Sequence, residues 1–292
     1  MAVAEPYVSR PTARGLAKLR QSRVDDRRTS RSSRIGLGAF LAVIAVALLA
    51  PVIAPHDPIV PVGIPFTPPF HTGALLGTDE VGLDIFSRVL YGLRASVIGA
   101  AAVIASGVVV GGAIGLAAGV LGGLVDDALM RLTDLFLALP GPVLAIAVVA
   151  ALGPSYAHTL LAVAIVWWPF YARIVRGEVR ALASRSHLEA ARLAGAGTLR
   201  RAWRHLLPGA VPAVLVTASL DVGNLVVTLA SLSFLGLGAP APAPELGAMA
   251  ARGLQYLLQE WWVPVMPAAG VFILAFVSNI AGDAMRDLLG DR

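Results

Sequence analysis

The sequence predicts an all-α membrane protein of six transmembrane helices with both termini in the cytoplasm, and three observations predict it. Of 292 residues, 57% are hydrophobic and only 14% charged, with a mean hydropathy of +0.76, a balance suited to lipid as the solvent. The apolar residues gather in stretches of membrane-crossing length. The Lys and Arg residues fall almost wholly on one side of those stretches.

Residues 1–34 carry Arg10, Arg14, Lys18, Arg20, Arg23, Arg27, Arg28, Arg31 and Arg34 with little apolar content, which reads as a basic cytoplasmic tail. The first span covers 35–54. Val52-Ile53-Ala54 has the look of a signal-peptide cleavage site. A 34-residue leader is long, however, and Pro55 would be the first mature residue, so an uncleaved anchor is expected. Prolines 51, 55, 58, 61, 65, 68 and 69 forbid a regular helix and predict an extended, partly polyproline course at the start of an outer loop, 55–94.

Five further helices form a core over 95–283. The second span runs from 95 to 120 and carries Gly107, Gly111, Gly115 and Gly119 at four-residue steps. On a helix of 3.6 residues per turn these lie along one slowly drifting groove, which lets a neighbouring helix approach closely; general Gly and Ala richness is the plainer alternative. A polar link, Asp126 to Asp134, leads to a third span at 135–152, kinked near Pro140-Gly141-Pro142. The fourth covers 157–175, a polar segment 176–208 follows, and the fifth and sixth cover 209–237 and 263–281. A short tail, 284–292, ends the chain. With the basic tail inside, only Arg88, Arg94 and Arg252 fall outside, which orients every span.

Composition also excludes functions. The net charge is +5 and the pI about 10.2, but the cations flank apolar spans instead of covering a soluble fold, so a nucleic-acid partner is not expected. Cysteine is absent, and His56, His71, His158, His187 and His205 are too scattered for a metal-ligand set. Asp79, Glu80 and Asp84 lack the rest of a calcium loop and read as capping residues. No G-x-x-x-x-G-K-[ST] occurs, so no ATP hydrolysis is expected of this chain.

In the fifth span Thr217, Asp221, Asn224, Thr228 and Ser231 recur at steps of four and three, within an arc of about 80°. A polar stripe with a carboxylate is costly toward lipid, so it should face the bundle interior or a water-filled path. Lining a path would favour cationic or zwitterionic solutes; locking neighbouring helices together is the plainer reading.

The segment 176–208 holds two short helices. Ser186 and Glu189 read as an S-x-x-E capping box, with Gly195 suited to the C-terminal stop. Residues 198–207 alternate Arg with Leu and Trp, as an amphipathic helix lying at the interface until Pro208 starts the next span. A small helix held below the bilayer is either a handle for another protein or an ordinary connector.

The resemblance to a known family rests here. Glu189-Ala190-Ala191, three residues, Gly195, then nine residues to His205 and on to Leu207-Pro208 resembles the E-A-A-x(3)-G-x(9)-I-x-L-P loop of bacterial ABC-importer permeases, departing only at His205. Leu76-Gly77-Thr78-Asp79-Glu80, Phe86-Ser87-Arg88, Trp168-Pro169 with Arg173 and Arg176, the run Ser231 to Gly238, and Gly282 to Asp287 are similar to the dipeptide, oligopeptide and nickel subgroup, in particular its C-type permease. Leu83 and Leu229 depart from it, where Arg and an acidic residue are usual.

The resemblance implies a type I ABC-importer permease in a bacterial inner membrane, crossing it several times and forming half of a pathway for di- or oligopeptides. Nickel or another small solute is the alternative. Ser186, Glu189, Ala190, Ala191, Gly195, Leu207 and Pro208 would then belong to a coupling loop gripped by an ATPase. The implied partners are a second permease, two ABC ATPases that bind ATP and Mg, an extracytoplasmic substrate-binding protein and membrane lipid. An ion-coupled secondary transporter would need an internal repeat and several ionisable groups within its spans, whereas Asp221 stands essentially alone.

Overall fold

The computed structural model describes residues 34–71 and 73–290, so most of the basic tail lies outside the described residues. Those residues contain no strand, only isolated bridges between His71 and Ala74 and between Thr78 and Asp84. The first apolar segment is α1 (Arg34–Leu48) followed by α2 (Ala50–Ile53). Pro51 cannot donate to the carbonyl four residues back, and the helix breaks one residue before α2, at Leu49.

Helix α3 (Ile85–Leu121) begins ten residues earlier than the hydropathy suggests. Asp84 is the cause: its carboxylate accepts the N–H groups of Phe86 (3.3 Å) and Ser87 (3.1 Å), starting the helix in a polar sequence. The stretch Asp126–Asp134, expected as a link, is instead part of a helix, α4 (Gly123–Ala138). Its charges find partners on a distant helix, described below, so they do not force the chain into a loop. Helix α5 (Gly141–Leu152) follows at an angle of 85° to α4. The break falls at the Pro140-Gly141-Pro142 sequence: Leu139 precedes a proline and is extended, with φ −94° and ψ 140°.

Helix α6 (Tyr156–Ala183) runs two turns beyond its apolar part into the polar segment. After the short α7 (Ser186–Leu193), α8 (Thr198–Arg201) passes through a π-helical turn, Ala202–Leu206, directly into α9 (Leu207–Phe234). Residues 198–207 are therefore the opening turns of the fifth span and not a separate interfacial helix. Pro208 explains the wider turn, because it has no N–H to give to Arg204, and the Leu207 N–H reaches back five residues to Ala202 instead. Helices α10 (Leu246–Gly253) and α11 (Trp262–Gly290) complete the chain.

Among the described residues, α3, α6, the continuous α8–α9 helix and α11 are long and apolar enough to cross a membrane, and the bent pair α4–α5 makes a further broken span. The α1–α2 segment is shorter and interrupted. The central core is apolar: Val103 of α3, Val149 of α5, Val163 of α6, Leu225 and Leu232 of α9 and Leu274 of α11 pack together.

The glycines of α3 sit against α6. A Cβ on Gly111 would collide with the Trp168 carbonyl oxygen and one on Gly115 with that of Ala172, while one on Gly107 would come within 3.0 Å of the Tyr171 ring. Gly119 meets Val179 in the same way. Without a hydrophobic force between helices in lipid, such backbone proximity is what holds the pair.

The Pro-rich outer loop is folded, not extended. Val62 N–H donates to the Gly82 carbonyl (2.9 Å), Arg88 Nη1 to the Pro58 carbonyl (2.8 Å) and Trp262 Nε1 to the Thr78 carbonyl (3.3 Å). Asp79, Glu80 and Asp84 lie in this cap. Asp79 Oδ1 accepts the Val81 and Leu83 N–H groups, and Asp84 also accepts the Ser87 hydroxyl (2.6 Å).

Candidate functional site

Two regions gather the residues that the sequence singles out. The first is the turn between α6 and α9. The chain leaves α6 through Ser184 and Arg185, whose N–H donates to the Leu182 carbonyl (3.0 Å). The Arg185 carbonyl then accepts the N–H groups of Leu188 (3.0 Å) and Glu189 (3.3 Å). Ser186 is therefore the first helical residue of α7 and not its cap, a correction of one position to the expected capping box. The Glu189 N–H that Ser186 was expected to cap is already bonded to Arg185.

At the other end Gly195 has φ +81°, and the Ala196 N–H reaches back to the Ala191 carbonyl (3.0 Å). This is a Schellman closure, and its left-handed residue suits glycine. Leu188, 4% exposed, seats α7 against Val179 and Leu182 of α6 and Leu206 of the π-turn. Glu189 faces outward, and Leu193 is 86% exposed. Ala190 and Ala191 lie on α7 between these residues, and Leu207 and Pro208 begin α9. The result is a short, closed helix anchored on its inner face and open on its outer one. Leu193, which no sequence pattern singles out, is the most exposed apolar side chain among the described residues of α7.

Earlier on α6, an ion-pair ladder joins it to α4. Asp126, 5% exposed, accepts Arg176 Nε (2.5 Å) and Nη2 (2.6 Å) together with Arg180 Nη1 (3.2 Å). Arg173 Nη2 donates to Asp134 at 2.6 Å nearer the solvent. The two-pronged Arg176 contact fixes orientation as well as distance. These partners are far apart in sequence; the readable signal was Arg173, Arg176 and Arg180 at helical spacing on one stripe.

The second region is a groove of about 560 Å³ between α6 and α9. Asp221, Asn224 and Thr228 line it with Trp167, Phe170 and Asn279. Asp221, 6% exposed, accepts Trp167 Nε1 at 3.0 Å. Thr217 and Ser231 do not line the groove. Their hydroxyls donate to the carbonyls of Ala213 (2.9 Å) and Val227 (2.7 Å) on their own helix, so their spacing on the stripe has no counterpart in the groove. Thr228 does the same with Asn224 (2.8 Å) while still bordering the groove. Trp167 and Asn279 were not visible as partners, since they come from other helices.

Leu83 and Leu229, where the resemblance leads one to expect polar residues, are both buried, and Leu229 packs in the central core away from the groove. Glu245 immediately precedes α10, and its carboxylate accepts the Ala239 N–H at 3.0 Å; burial pushes its carboxyl above the usual range. Among the described residues, no group of three or more His, Cys, Asp or Glu is placed to hold a metal ion.

Comparison with known proteins follows the same lines. Residues 111–292 match the model of the family described as binding-protein-dependent transport system inner membrane component. The chain is 40% identical over 251 residues to a probable D,D-dipeptide transport system permease protein of Escherichia coli (strain K12), covering 86% of this chain and 84% of that one. It is 35% identical over 266 residues to a dipeptide transport system permease protein of Haemophilus influenzae, covering 89% and 90%. It is also 39% identical over 218 residues to a nickel transport system permease protein of Escherichia coli (strain K12), covering 73% and 77%.

Proposed function

We propose, from the premise that this chain belongs to the family of binding-protein-dependent transport system inner membrane components, that it is the permease subunit of an ATP-driven importer of di- or oligopeptides. Its place is the bacterial inner membrane, and the reaction it serves is movement of solute, not chemistry on it. In this reading it pairs with a second permease, receives solute from an extracytoplasmic binding protein, and is driven by two ABC ATPases that hold the ATP and Mg. No cofactor of its own is required. In this reading both termini lie in the cytoplasm, a topology supported by the distribution of Lys and Arg, and α7 faces the side where ATP is found.

The observation that carries the reading is α7 itself. It is a short helix fixed at both ends, seated by Leu188 on the ends of two long helices, with Glu189 and Leu193 open to a partner. A force applied to it reaches α6 and α9 through packed side chains, and α4 through Asp126. The peptide relatives cover more of this chain than the nickel relative does, which favours peptides as the solute.

The test is purification and transport. Expressed with its co-encoded subunits, the tagged chain should carry two ATPases through affinity purification, and the complex in proteoliposomes should take up dialanine only when ATP is present. Uptake driven by a proton or sodium gradient without ATP would replace this reading with ion-coupled transport. Uptake of nickel and not of dialanine would change the solute while leaving the ATP-driven mechanism in place.

A further inference from the structure

We propose that Asp221 and Trp167 form a subsite within the membrane for the protonated amino group of the passing solute. The inference rests on the peptide-permease reading above and names what that permease recognises. Asp221 lies halfway along α9, so about 20 Å of helix separates it from either end. A carboxylate at that depth is costly to keep unless something offsets its charge.

Nothing in the described chain does so. Its side-chain partner among the described residues is a neutral donor, the Trp167 indole N–H at 3.0 Å. Among the described residues, none of the ion pairs formed by Arg or His involves it. By contrast Asp79, Asp84, Asp126 and Asp134 each meet a cationic or ionisable base within 4 Å. Asp221 is thus a buried acid held in place by a neutral donor and bordering a groove.

The groove suits an amine better than a metal ion. A divalent cation needs several oxygen or nitrogen ligands, and no such cluster exists among the described residues. An ammonium group needs one anion, a few neutral acceptors and tolerates aromatic walls, on whose faces cations are attracted. Asp221 supplies the anion, Thr228, Asn224 and Asn279 neutral oxygens, and Trp167 and Phe170 the aromatic surface. The volume of about 560 Å³ admits a dipeptide. Trp167 has a positioning role, since its N–H on Oδ2 aims the carboxylate at the groove.

The experiment uses the complete importer in proteoliposomes with dialanine as the probe. Asp221→Asn keeps the shape and loses the charge; dialanine uptake should fall about tenfold, while ATP hydrolysis stimulated by the binding protein stays within about twofold. Asp221→Glu should recover a large part of the uptake. Uptake unchanged in Asp221→Asn overturns the proposal, because the carboxylate would then be a protonated helix fastener. Equal loss of ATP hydrolysis or of the second permease from the purified complex overturns it too, by showing that the carboxylate meets a cation of that subunit. If the unmodified importer carries nickel and not dialanine, the peptide reading and the subsite fall together; if it carries dialanine and so does Asp221→Asn, the subsite alone falls.

Discussion

The two faces of α6 contrast sharply. Toward α3 it is sealed by a seam in which glycines touch the backbone of Trp168 and Ala172, with no room for a methyl group. Toward α9 it packs only in part, with Val163 in the core beside Leu225 and Leu232, and leaves next to that contact a groove with a buried carboxylate at its back. One face is a weld and the other a contact that opens into a gap. The same helix continues past the apolar zone to meet α7 and the α4 ladder. In the proposed account α3 and α6 move as one body, α7 is the point where force enters that body, and the α6–α9 gap is where solute passes.

The largest effect should come from forcing the weld. Gly111→Leu places a side chain where the Trp168 carbonyl already sits, and overpacking of about 3 kcal/mol or more is expected. The variant should accumulate poorly in the membrane, measured by the yield of chain that still co-purifies with its partners. Next comes the ladder that ties α4 to the same body. Asp126→Asn should cost about 2 kcal/mol by weakening charge-assisted hydrogen bonds to Arg176 and Arg180. The exposed arginines limit the loss, and the exchange Asp126→Arg with Arg176→Asp should regain part of it in thermal unfolding of the purified complex.

On the open face the effects should be functional instead of structural. Trp167→Phe keeps an aromatic wall, though a smaller one, and removes the Nε1 donor, so dialanine uptake should fall about threefold with the thermal midpoint little changed. Loss of stability comparable to Gly111→Leu would mean that this face is a weld as well. The smallest effect has the opposite sign. Gly112 neighbours Gly111 but has open space where a Cβ would go. Gly112→Ala should therefore stabilise α3 by about 0.5–1 kcal/mol through helix propensity alone, visible as a slightly higher thermal midpoint.

Much of this contrast was readable in the sequence, for reasons that separate local from distant causes. The weld is written in one helix, as glycines at steps of four, and hydropathy alone locates the long spans. The stop at Gly195 is equally local. Features that depend on two helices were not readable. Asp126 to Asp134 looked like a link because Arg176 and Arg180, which make those charges tolerable in a helix, lie some fifty residues on. The register of α7 was displaced by one residue because the exit from α6 puts Arg185 at the cap. In the polar stripe of α9, spacing could not distinguish Thr217 and Ser231, which bond to their own helix, from Asp221, which bonds to α6.

In the proposed mechanism α7 passes the work of ATP hydrolysis to the α3–α6 body. The most direct test is the ratio of dialanine taken up to ATP hydrolysed by the complete importer in proteoliposomes, with Glu189→Ala against the unmodified chain. Glu189 is exposed and makes no seat for α7, so α7 should keep its fold in the variant, and the ratio is read on complex that retains both ATPases. This ratio should fall about tenfold while ATP is still consumed. An unchanged ratio in a fully assembled complex would contradict the mechanism.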